Sequence, residues 1–170
     1  MSGEEMTRKE LMTLFEAAKW APSSANNQPW RFIYSMKNSS SWRTFFSFLD
    51  KSNQEWCINA SGLVVVVSKE TFDYNGKFSR THSFDAGAAW ENLALQGSLK
   101  GLVVHGMQGF DYDNAKKELG IPDGYSVEAM IAVGKPGPVE SLSKKNQKRE
   151  FPSGRKQLNE IVFEGKFGGQ

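Results

Sequence analysis

The 170-residue chain has one cysteine, Cys57, and two histidines, His82 and His105. A single cysteine excludes a disulfide-stapled scaffold. The histidines stand at metal-ligand spacing neither from each other nor from Cys57, so no metal is expected. The longest aliphatic run, Leu63–Val67, suits a strand and falls far short of the ~20 residues of a membrane helix. The opening Met1-Ser2-Gly3-Glu4-Glu5 lacks the basic start and apolar stretch of a secretory signal, so the expected location is the cytoplasm. A dominant charge sign is missing too: Lys+Arg number 21 against Asp+Glu 19. Lys144, Lys145, Lys148, Arg149, Arg155 and Lys156, opposed locally only by Glu150, supply the whole basic excess. A nucleic-acid binder draws its basic face from much of the fold, so neither nucleic acid nor membrane is an expected partner. There is also no G-x-G-x-x-G, no phosphate-binding P-loop and no G-x-S-x-G elbow. Cys57, beside Trp56 in apolar company, reads as a small buried hydrophobe rather than a nucleophile. No set of side chains looks like an acid, base and nucleophile assembly. If the chain is an enzyme, a cofactor carries the chemistry.

What is present is a core. The chain is 39% hydrophobic and 12% aromatic, with Phe 12 and Trp 5, enough for one compact domain over residues 1–170 and too apolar for disorder. Thr7-Arg8-Lys9-Glu10 is a capping box, followed at helical spacing by Leu11, Leu14, Phe15 and Ala18, with Pro22 as the stop. Trp30–Tyr34 alternates as a strand. Trp42, Phe45, Phe46 and Leu49 form a helical stripe, and a short helix is expected over residues 54–60. Leu63–Val67 is a strand buried on both faces. The polar stretch 69–83 is long enough for a functional loop; its Phe72, Tyr74 and Phe78 suit either a cover over substrate or packing of the loop. A helix over 84–100 ends at Gly101 and is rich in Ala86, Gly87, Ala88, Ala89, Ala94 and Gly97. Glycine inside a helix costs about 1 kcal/mol relative to alanine, so something must pack close to this backbone, either in the same subunit or in a second one. Strands over 102–104 and 128–133, a helix over 113–119, and a final apolar segment of Leu158, Ile161, Val162 and Phe163 complete an α+β or α/β pattern.

Pro22-Ser23-Ser24-Ala25-Asn26-Asn27-Gln28-Pro29-Trp30 is the most informative stretch. Its neutral hydrogen-bonding side chains, stiffened by a proline near each end, suit a ligand rich in hydroxyls, carbonyls and ring nitrogens. A turn that satisfies its own backbone explains the composition equally well.

Ala18–Phe32 resembles the A-x-x-A-P-S-x-x-N-x-Q-P-W-x-F signature of the nitroreductase family of flavin-dependent oxidoreductases. Asn53, Asp85-Ala86-Gly87-Ala88-Ala89 with Asn92-Leu93, Gly101-Leu102, Gly106-Met107-Gln108-Gly109-Phe110-Asp111, Ala132–Pro136 and Arg155–Val162 resemble further family segments in order. The resemblance implies an α+β, three-layer α/β/α fold with a mostly antiparallel central sheet and a long helix at a dimer core. It implies FMN at the interface of a homodimer, NAD(P)H as electron donor, and a small electron-poor acceptor such as a nitroaromatic or quinone. Pro22, Ser23, Ser24, Asn26 and Gln28 would approach the flavin from the partner subunit. Asn53 would reach the ribityl or pyrimidine side, Met107, Gln108 and Gly109 would lie along the ring, and Arg155 would meet the phosphate. The family's basic segment before the first helix has no match here, which leaves one phosphate anchor fewer. Trp56 stands where some relatives carry a basic residue. A flavin-binding protein of the same fold with little turnover is the alternative.

Overall fold

A computed structural model of the chain describes residues 1–169. Helix α1 (Arg8–Ala18) starts on the expected capping box: the Glu10 N–H donates to the Thr7 hydroxyl (3.2 Å), and the Thr7 N–H donates to the Glu10 carboxylate (2.7 Å). It ends at Ala18, a turn before Pro22. The chain then enters a short 3-10 turn at Ser24–Asn26 and strand β1 (Trp30–Met36). Helices α2 (Trp42–Phe48) and α3 (Lys51–Cys57) follow. Helix α3 begins earlier than its apolar pattern suggests, because the Asp50 carboxylate accepts the Asn53 N–H at 2.8 Å and caps it. After strand β2 (Gly62–Lys69) come α4 (His82–Leu99), β3 (Val103–Met107), α5 (Tyr112–Glu118), β4 (Tyr125–Gly134) and the short α6 (Lys144–Gln147).

The four strands form one sheet in the order β1-β2-β4-β3, with every neighbouring pair antiparallel. Because side chains alternate along a strand, β2 feeds two cores. Leu63, Val65 and Val67 join Phe45, Phe48, Cys57, Met107, Phe110 and Ala115 on the face covered by α2, α3 and α5. Val64 and Val66 join Leu11, Leu14, Trp30, Ala89 and Leu93 on the face covered by α1 and α4. The result is three layers, helices on both faces of an antiparallel sheet. Among the described residues no helix is long and apolar enough to cross a membrane, and no cluster of side chains could hold a metal ion.

Helix α4 divides its small residues between two jobs. Ala86, Ala89 and Gly97 are buried inside their own chain, so their packing there needs no second subunit. A β-carbon at Gly97 would lie 2.2 Å from the Val104 Cγ2 atom; close approach of β3 demands the glycine. Gly87 has no atom within 4 Å of its missing β-carbon. It lies on an exposed face with Phe84, Leu95 and Leu99. The last apolar segment does not join the core: Leu158, Ile161 and Val162 are exposed, around a 3-10 turn at Leu158–Glu160.

Candidate functional site

The loop between α1 and β1 is built from unusual backbone. Ala25, Asn26 and Gln28 have φ of 51°, 51° and 48°. A left-handed non-glycine residue costs on the order of 1–3 kcal/mol, and Ala25 has no polar side chain to offset that locally. Surrounding bonds hold the shape. The Gln28 N–H donates to the Ser23 hydroxyl (3.0 Å), and the Gln28 amide donates to Asn26 Oδ1 (3.2 Å). The Asn27 amide is clamped to the next loop, donating to the Thr71 carbonyl (3.2 Å) and accepting from the Asp73 N–H (2.9 Å). The buried carboxylate of Asp85, in the first turn of α4, accepts the Ser24 N–H at 3.0 Å and the Thr81 hydroxyl at 3.3 Å. Side chains that satisfy backbone groups account for part of the loop. Ser23 and Asn27 satisfy the backbone, while Pro22, Ser24, Asn26 and Gln28 are exposed. Beside them Ala25, Gln28, Arg31 and Tyr74 line a cavity of about 410 Å³.

A second group forms at the end of β3, on the α2/α3/α5 side of the sheet. The Asn53 amide donates to the Gly109 carbonyl (2.9 Å), and the Asp50 N–H donates to the same oxygen (3.1 Å). A β-carbon on Gly109 would meet Asp50 Oδ2 at 2.3 Å and Asn53 Nδ2 at 2.8 Å. Only glycine fits this cradle. Met107 is buried below it, with the Cys57 thiol 3.6 Å from its sulfur, while Gln108 is exposed. Burial, reinforced by the Asp50 charge, pushes the Cys57 thiol up to about 12, so it stays protonated at neutral pH and is no nucleophile. Asn53 opens on a cavity of about 320 Å³ that Trp56, His105, Lys145 and Arg149 also line. The Trp56 and His105 rings meet edge to face at 4.8 Å. Desolvation holds the His105 pKa below its ordinary value, against the opposing charge of Glu150.

Asn53, Met107, Gln108 and Gly109 thus come together, and so do Pro22, Ser23, Ser24, Asn26 and Gln28, but the two groups do not meet within one chain. Their cavities share no lining residue. Arg155 joins neither group: its guanidinium donates to the Ser153 hydroxyl and to the Ser153 and Gly154 carbonyls of its own tail. The cations beside Asn53 are instead Lys145 and Arg149, two members of the basic cluster over residues 144–156. Nothing in their spacing marks them, because the fold of the 136–150 segment brings them there. Asp85 and Asn27 were visible in the sequence only as parts of motifs. Their bridging roles arise from contacts between residues far apart in the chain.

The Nitroreductase family model matches residues 2–45 and 36–135, which span both residue groups. The crystal structure of an oxidoreductase containing FMN is 44% identical in sequence and superposes with a TM-score of 0.94, covering 99% of this chain and 87% of that one. A nitroreductase family protein from Clostridium difficile 630, 19% identical, shares the fold with a TM-score of 0.71 over 98% of this chain and 91% of its own. An uncharacterized 15.4 kDa protein from Mycolicibacterium smegmatis is 30% identical over 126 residues, or 74% of this chain and 84% of that protein. The three-layer antiparallel fold, the polar loop ahead of β1 and the glycine cradle after β3 all lie inside the matched segments, and the chain belongs to the nitroreductase family.

Proposed function

We propose that the protein is an FMN-dependent oxidoreductase that takes electrons from NAD(P)H and passes them to a small electron-poor acceptor such as a nitroaromatic or quinone. The observation that carries this reading is the Asn53–Gly109 cradle, a backbone carbonyl fixed by two donors at a spot where a β-carbon has no room. Asp50 and Asn53 fill the space a side chain would take, so a flat ring at this edge would meet backbone groups only. The available groups also suit FMN chemically. Ser23, Ser24, Asn26, Gln28 and Asn53 offer neutral donors and acceptors for a heterocycle and a polyol, and Lys145 and Arg149 beside Asn53 are cations for a phosphate. The relative at 44% identity is described as an oxidoreductase containing FMN.

When bound, the flavin supplies the hydride and electron transfer, and the protein's task is to hold, orient and shield it. Asn53 would fix the Gly109 carbonyl and reach the ribityl or pyrimidine side, while Gln108 and Gly109 present backbone groups to the ring. Met107 supports that edge from the core. Neither Cys57, protonated by burial, nor His105, held toward its neutral form, is needed as acid or base. The loop bearing Asn26 and Gln28 stands apart from the cradle, which supports a homodimer in which one subunit's loop completes the other's site. The exposed face of α4 with Phe84, Leu95 and Leu99 supports the same assembly.

The test is the absorption spectrum of the purified protein with FMN, before and after anaerobic addition of NADH or NADPH. Flavin bands that bleach with the nucleotide and return with a quinone are expected. A protein that holds FMN but is reduced by neither nucleotide would be a binding protein, and one that holds none would overturn the reading.

A further inference from the structure

We propose that Asp85 is a positioning residue for the flavin site, acting through a single backbone hydrogen bond that sets the conformation of the Ser23–Gln28 loop. The inference rests on the flavin reading above and extends it to a residue lying outside both groups. Asp85 is only 4% exposed, yet its carboxylate does not cap its own helix: the capping position of α4, Thr81, makes no side-chain cap bond to the helix. Instead Oδ2 reaches across to the Ser24 N–H (3.0 Å), with the Thr81 hydroxyl as its second donor (3.3 Å). Ser24 is the first residue of the 3-10 turn, directly ahead of left-handed Ala25 and Asn26. These conformations are unfavourable for residues with a β-carbon, so an outside contact must hold them. Asp85 supplies it from the turn's N-terminal side. Asn27 supplies a second from the far side through Thr71 and Asp73. The exposed Ser24 and Asn26 side chains stand on and between these anchors, and the exposed Gln28 follows directly. A charge-assisted bond to a backbone N–H is among the stronger ones available, and removing its acceptor leaves Ser24 free to relax.

Asp85→Asn keeps one side-chain oxygen, which can accept both the Ser24 N–H and the Thr81 hydroxyl as Oδ2 does, but loses the charge. Asp85→Ala loses both bonds. FMN affinity, read by quenching of flavin fluorescence, is expected to fall at least tenfold in Asp85→Ala and to stay within about threefold of the parent in Asp85→Asn, with both proteins melting cooperatively. Parent-like affinity in Asp85→Ala would overturn the proposal. Equal losses in both variants would also overturn it, because the carboxylate would then act only as a charge at the helix start. If Asp85→Ala does not fold, the backbone partner carries the test. Ser24 follows the extended Ser23, a place where proline is tolerated and its missing N–H removes only this bond. Ser24→Pro should then bind FMN at least tenfold more weakly than Ser24→Ala, and equal affinities would overturn the proposal. A parent protein that binds no FMN defeats the flavin reading itself, which is a different result from a parent that binds while the variants match it.

Discussion

At the scale of single residues, Gly109 is held to glycine by two neighbouring side chains. A methyl group there would collide with Asp50 and Asn53, and relieving such overpacking typically costs about 1–3 kcal/mol. Gly109→Ala should lower the melting temperature and weaken FMN binding by more than tenfold, measured by thermal unfolding and fluorescence titration. Cys57 gives a prediction with a definite sign. Its folded pKa is raised from 9.0 to about 12, so the unfolded chain releases its proton first as pH rises. The thiol's contribution to stability is intact below pH 9 and is lost as pH climbs toward 12. Cys57→Ala should flatten that part of the pH–stability curve, and the native thiol should resist alkylation at pH 8 until denaturant is added. Arg155 and Arg149 separate two placements of the phosphate grip. Arg149 lines the Asn53 cavity and Arg155 does not, so Arg149→Ala should weaken FMN binding more than Arg155→Ala, and a titration of both variants distinguishes them. The residue types of the loop were readable from the signature motif, and Asn53 from a further segment of the resemblance. The partners of Asn53 were not, since Gly109 lies far along the chain and is brought to it by the antiparallel bridge between Leu49 and Phe110.

At the scale of elements, α4 explains why a helix tolerates two glycines for different reasons. Alanine favours a helix over glycine by about 1 kcal/mol. At Gly97 that gain is outweighed by the clash with Val104, so Gly97→Ala should destabilise the protein in urea unfolding by about 1–3 kcal/mol. At Gly87 one chain leaves open space, so Gly87→Ala should stabilise an isolated subunit. If subunits pack on this face, the same change should raise the dimer dissociation constant, as read by sedimentation. Amphipathic periodicity revealed α1 cleanly, and an unbroken aliphatic run revealed β2. It left open which face of α4 was inward, because alanine and glycine suit close packing against either the same chain or another. Helix α3 was placed late in the sequence reading because its start is set by the Asp50 cap rather than by an apolar residue.

At the scale of the whole molecule, the separation of the two residue groups predicts complementation between subunits. Gln28→Ala damages the loop half of a site and Asn53→Ala the cradle half. In a mixture allowed to exchange subunits, half of the dimers would pair one variant with the other, and each such dimer would hold one undamaged site. Roughly one quarter of all sites should therefore bind FMN normally although neither variant does alone, given a two-fold dimer with shared sites. An absence of recovery, with exchange shown by mass spectrometry, would place each site within one subunit. The exposed apolar tail at Leu158, Ile161 and Val162 belongs to the same question, since apolar side chains left in water favour cover by another surface.

By itself, the sequence determined the element types, the two-faced burial of β2 and the family, because capping boxes, alternation and short motifs are local properties of consecutive residues. Only the tertiary structure decided that Gly109 closes on Asn53 and Asp50, and that Asp85 reaches back to Ser24. It also brought Lys145 and Arg149, rather than Arg155, beside the Asn53 cavity. Those contacts join residues distant in the chain, and their distances are fixed by strand pairing and helix packing that no local pattern encodes.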